Sequence, residues 1–170
     1  MCIRDSINGI GIDILIKTWK EKKIKNFILI TNIDILNKIL KKRNIKLLLN
    51  LVNNKKNKFI YQKDKFNIFS YKANSFEDNT YKSLKYGHIL CANKKCIGVI
   101  TLPLRKDLIK DKIDKNFIGH TEFFQKKDKK NNVNMILFHE KIIISPLTTH
   151  LEVKKISKVI SNKKFLFNQI

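Results

Sequence analysis

Short apolar runs alternate with amphipathic stretches along almost the whole chain, and this alternation restricts it to a layered α/β fold. Ile10, Ile12, Ile14, Ile16 and Trp19 follow the Gly9 and Gly11 loop and predict a helix that runs into the lysines beyond. "NFILIT" at 26–31 predicts a buried strand. Asn32 is placed to cap a helix whose apolar positions are Ile33, Leu36, Ile39 and Leu40. "IKLLLNLV" at 45–52 and "FNIFSYKA" at 66–73 predict further strands or buried elements, and Ser75 with Glu77 and Asp78 marks the next helix start.

The same pattern continues. "CIGVITLP" at 96–103 predicts a strand, "RKDLIKD" a short helix, and "GHTEFF" the opening of another. "VNMILF" and "KIIISPLTTH" predict two strands joined by a turn at His139 and Glu140, and "LEVKKISKVI" predicts a closing helix. The expected architecture is a mostly parallel sheet with helices on both faces and one hairpin, forming one continuous unit over residues 7–170. Residues 1–6, "MCIRDS", share no pattern with the rest of the chain and are set aside as a non-native leader; the apolar "FLFNQI" suggests truncation.

Charge excludes less than its size suggests. The chain carries 36 Lys+Arg against 14 Asp+Glu, a formal +22, but only Arg4, Arg43 and Arg105 are arginines. Readers of nucleic acid rely on arginine forks and stacked aromatics, whereas scattered lysines are point charges on a solvated surface. No nucleic-acid partner is expected. Cys2, Cys91 and Cys96 form no disulfide framework and no zinc-knuckle spacing, which fits a reducing cytoplasm. No apolar run reaches the length of a membrane span.

The four histidines sort by context. His88 falls in register with Tyr81, Leu84 and Cys91 and reads as a partly buried helix residue, while His139 reads as an exposed turn residue. His120 differs because it follows Gly119 and precedes Thr121 and Glu122, where free amides at a helix start can receive an anion. His150 ends a strand, the place where α/β sheets collect ligands.

Taken together, "NGIGIDI" (8–14), "TLPLRK" (101–106), "FIGHTEFF" (117–124) and "MILFHEKIIISPLTTHLEVKKIS" (135–157) resemble the 4-hydroxythreonine-4-phosphate dehydrogenase family in order and spacing. The resemblance implies an isocitrate/isopropylmalate-dehydrogenase-like fold, of which this chain is an N-terminal fragment. It also implies NAD-dependent oxidation of the 3-hydroxyl of 4-phosphohydroxy-L-threonine, followed by decarboxylation, in pyridoxal 5′-phosphate biosynthesis. A divalent metal (Zn, Mg or Co), held by three histidines at a homodimer interface, is part of that implication.

Carried over motif by motif, His120 and Thr121 match the substrate-binding pair and His150 matches the first metal histidine. The residues that would contact NAD are not assigned. The other two metal histidines would lie beyond residue 170, so the fragment alone is expected to be inactive. The chain departs from the family pattern at Ile12, Asp13, Leu102 and Arg105. The alternative function is a catalytically dead phosphate-binding or interaction module of the same fold.

Overall fold

A computed structural model describes residues 9–52, 54, 55, 58–130, 133–148 and 151–161. The chain divides into two compact units, Met1–Ile118 and Gly119–Ile170. In the first, helix α1 (Gly11–Lys20) presents Ile12, Leu15 and Ile16 inward, and Asp13 in its first turn and Lys17 and Lys20 in its last complement the helix dipole. Strand β1 (Leu29–Ile30) is short and fully buried. Helix α2 (Ile33–Lys42) begins at Asn32, whose Oδ1 accepts the Ile35 N–H at 2.9 Å, and it buries Ile35, Leu36, Ile39 and Leu40.

Strand β2 (Leu49–Leu51) is followed by a small antiparallel hairpin, β3 (Asn54–Lys55) with β4 (Lys58–Phe59), whose polar sequence carries no strand signal. Strand β5 (Phe66–Phe69) lies at the centre of a parallel sheet of order β1-β5-β2, with Leu29 opposite Ile68 and Leu49 opposite Phe66. Being central, it buries Phe66, Asn67 and Ile68 on both faces. Trp19 and Phe27 each meet the Phe66 ring edge-on at 5.3 Å, so α1 and the approach to β1 close over the middle strand. Each buried Leu or Ile of this core contributes about 1.5–3 kcal/mol before entropy is counted.

Helix α3 (Phe76–Ala92) starts at Ser75, whose Oγ accepts the Asp78 N–H at 3.1 Å. Its inward side mixes small or polar residues, Asn79, Thr80, Ser83 and Gly87, with the buried Leu84 and Leu90. Helix α4 (Lys106–Lys112) packs against α3, and Lys112 pairs with Glu77 at 2.8 Å.

The strand expected over 96–103 does not form. Only Thr101 makes an isolated bridge, Ile97 is fully exposed, and the segment is a strap. Gly98 weakens a ladder there, and the inward contacts are made by Val99 and Leu102, which lie against Gly87 and Gly11. The strand expected over 26–31 contracts to Leu29–Ile30 because Asn26 turns through a left-handed conformation, φ 53°.

The second unit contains helix α5 (His120–Asp128), strands β6 (Leu137–His139) and β7 (Ile142–Ile144), and helix α6 (Val153–Ile160). β6 and β7 pair antiparallel, with His139 opposite Ile142, so the turn is Glu140–Lys141 and His139 closes the ladder. The turn therefore falls one residue later than the sequence pattern predicts.

Candidate functional site

Parallel strands deliver their carboxyl ends to one edge, where ligands of open α/β sheets gather. In the first unit that edge is filled by the protein's own polar groups. Thr31 and Asn32 follow β1, and Ser70 and Tyr71 follow β5. The Asn32 N–H donates to Asn79 Oδ1 at 2.7 Å, Asn32 Nδ2 donates to the Tyr71 carbonyl at 2.7 Å, and the Ile33 N–H donates to Ser70 Oγ at 3.0 Å. Tyr71 Oη donates to Asn79 Oδ1 at 2.9 Å, and Asn79 Nδ2 donates to Thr31 Oγ1 at 3.1 Å. These bonds rigidify the bases of α2 and α3. Sequence reasoning identified Asn32 as a cap but missed Asn79, because an asparagine near a helix start shows nothing of its burial.

The positions that depart from the family pattern have structural partners here. Ile12 is fully buried in the core, and Asp13 pairs with Arg43, whose guanidinium also donates to the Gly9 carbonyl at 2.9 Å. Leu102 packs over Gly11, and Arg105, the N-cap of α4, pairs with Asp107 in its first turn. Arg105 holds the Asp107 carboxyl below its ordinary value. Tyr81 donates to Asp114 at 3.0 Å, and its phenol is pushed up, first by burial and then by that carboxylate.

In the second unit, His120 and Thr121 form the first turn of α5. Gly119, the N-cap, precedes them in extended backbone, φ 178°, and as a glycine offers no side-chain cap. The leading amides are therefore presented without an internal acceptor from Gly119, and the helix dipole adds partial positive charge at the same end. Thr121 is exposed and His120 half-buried, with its Nε2 shielded from solvent. Phe123 anchors the helix from its buried position, with Lys127 Nζ 5.7 Å from its ring centre. The first turn of α5 thus carries a hydroxyl and an imidazole beside its leading amides.

The remaining histidines are placed as follows. His88 is half-buried on α3 and His139 is exposed. His150, the expected metal ligand, lies outside the described residues. Among the described residues no group of three or more His, Cys, Asp or Glu could hold a metal ion. The described donors do not by themselves fit a divalent cation. Cys91 and Cys96 are free thiols, and burial, then the neighbouring Cys96, pushes the Cys91 thiol up. Among the described residues no helix is long and apolar enough to cross a membrane.

Residues 23–167 match the family described as pyridoxal phosphate biosynthetic protein PdxA. The 4-hydroxythreonine-4-phosphate dehydrogenase of Wigglesworthia glossinidia brevipalpis is 31% identical over 167 residues, covering 90% of this chain and 49% of that protein. The chain thus spans about half the length of this relative. A solved protein of Salmonella typhimurium superposes with a TM-score of 0.76 at 17% identity, covering 93% of this chain and 52% of the other. The 4-hydroxythreonine-4-phosphate dehydrogenase of Burkholderia phymatum gives 0.70 at 16%, covering 91% and 51%. At such identities the structural likeness establishes the fold, an α/β layer with a parallel sheet as expected from the sequence.

Proposed function

The chain belongs to the family of pyridoxal phosphate biosynthetic protein PdxA, and on that premise we propose that residues 7–170 are the N-terminal portion of a 4-hydroxythreonine-4-phosphate dehydrogenase. The substrate is 4-phosphohydroxy-L-threonine. NAD, when bound, would supply the acceptor for the hydride on C3, the 3-hydroxyl proton being lost in the same oxidation. The resulting β-keto acid would release carbon dioxide, the electrons of the broken C–C bond forming an enolate that is then protonated.

The uncapped start of α5 carries this reading for the chain's own residues. Its amides and the Thr121 hydroxyl hold an anionic group of the substrate, and the His120 imidazole orients the reacting end through hydrogen bonds. Positioning of this kind is a use for a His-Thr pair that follows a glycine N-cap, which has no side chain to occupy the leading amides.

In this reading His150 supplies one ligand to a divalent ion in the longer, homodimeric, cytoplasmic enzyme. One imidazole by itself holds such an ion weakly. The 170-residue chain alone is accordingly inactive.

A chimera tests the proposal. Residues 7–170 replace the corresponding part of the Wigglesworthia glossinidia brevipalpis relative, and NADH is followed after adding substrate, NAD and a divalent salt. The chimera is expected to turn over and the isolated chain is not. A well-folded chimera without turnover would support the alternative of a catalytically dead module.

A further inference from the structure

The amino-terminal edge of the same parallel sheet carries a feature that the dehydrogenase reading does not use. The segment ahead of β1 and the segment ahead of β5 lie side by side there, because the two strands are parallel and adjacent. Between them opens a cleft of about 590 Å³, within the range of small-ligand sites. Two aromatic side chains, Trp19 and Tyr61, form part of its wall, and both are half-buried. Trp19 is held edge-on against Phe66, and Tyr61 Oη accepts the Asn26 N–H at 3.2 Å, so both rings are fixed by the fold.

The charge of the cleft is one-sided. Lys20, Lys22, Lys25 and Lys63 line it against a single carboxylate, Asp64. Among the described residues none of these four lysines is in an ion pair, whereas nearby Lys23 is paired with Glu21 at 2.7 Å. Lys22 and Asn26 both adopt left-handed backbone, φ 57° and 53°, and this double bend curls the 22–26 segment around the opening. Helix-dipole compensation explains a lysine in the last turn of α1, such as Lys20, but not Lys63, which arrives from a different segment.

Four ammonium groups with no ion pair among the described residues, set around fixed aromatic faces, suit a ligand with a planar ring and a phosphate. Lysines hold the phosphate as point charges, and an indole or phenol face accepts the ring. We propose that this cleft binds a phosphorylated ring compound of mononucleotide size, at a site on the sheet edge opposite the carboxyl ends of the strands. It is independent of the α5 site and of the chain's completion into an enzyme.

Trp19 is the only tryptophan, so its emission reports on the cleft directly. The 170-residue chain is titrated with AMP, with adenosine and with inorganic pyrophosphate, exciting at the red edge of the indole band. AMP is expected to give a saturable change with a dissociation constant of about 1 mM or below, and each part-ligand to bind about tenfold more weakly. Lys25→Ala combined with Lys63→Ala is expected to weaken AMP about tenfold or more, while Lys46→Ala with Lys158→Ala, the same charge change at exposed positions elsewhere, leaves it unchanged. Equal loss in both pairs, equal binding of adenosine and AMP, or no saturable signal for AMP would each overturn the proposal and leave a solvated lysine surface. Circular dichroism of the Lys25/Lys63 variant guards against a folding artefact, since both positions are exposed.

Discussion

Asn79 Oδ1 accepts the backbone N–H of Asn32 at 2.7 Å, joining the first turn of α3 to the residue that caps α2 across 47 positions of sequence. Both residues are buried, and the same oxygen also receives Tyr71 Oη. The register of two helices at the carboxyl edge of the sheet depends on one side-chain amide.

Asn79→Ala should therefore lower the stability of the first unit by about 1–3 kcal/mol, the cost of leaving the buried Asn32 N–H unsatisfied, while the Tyr71 hydroxyl keeps its bond to the Asn79 carbonyl. Urea unfolding is the measurement, with exposed Asn37→Ala as the control. Matching midpoints for the two variants would mean that the network contributes nothing.

A Cβ added to Gly11 would lie 3.2 Å from Leu102 Cβ, so the glycine permits the strap to lie on the start of α1. Gly11→Val should cost about 1–3 kcal/mol through overpacking, and Gly11→Val combined with Leu102→Gly should recover part of that loss. Additive losses in thermal unfolding would remove the contact as the cause.

Lys112, by hydrogen bonding to Glu77, is the leading cause that holds this carboxyl below the ordinary glutamate value of 4.5. A depressed folded pKa makes the pair's contribution complete above pH about 4.5 and lost as pH falls through the lower, folded value. Glu77→Gln should flatten that part of the acid limb of the stability profile. An unchanged slope would show that Glu77 is not linked to acid unfolding.

Thr121→Ala in the chimera should raise KM for the phosphorylated substrate, by about tenfold for one lost hydrogen bond to a charged group, and leave metal content unchanged. Loss of bound metal instead would reassign the α5 start.

His150→Ala in the same chimera should reduce metal content and abolish turnover, and His139→Ala should leave both intact, since His139 is an exposed strand end. Equal losses would undo the sorting of the histidines by context.

By itself the sequence determined which segments become helices and where they start. Asn32 and Ser75 satisfy helix amides from within three residues, and the apolar spacing of α2 reports Leu36, Ile39 and Leu40 of its buried side, with Ile35 taking the place expected of Ile33. It also marked His120 and Thr121, because a glycine followed by His-Thr-Glu is a local signal read over one helical turn.

Only the tertiary structure decided the rest. Residues 96–103 have the composition of a strand, yet strand formation depends on a partner edge, and Val99 and Leu102 instead find two glycines to pack on. Asn79 and the lysine cleft are likewise products of long-range placement. The parallel pairing of β1 with β5 brings together groups tens of residues apart, and no local pattern encodes a contact between segments that meet only through a sheet.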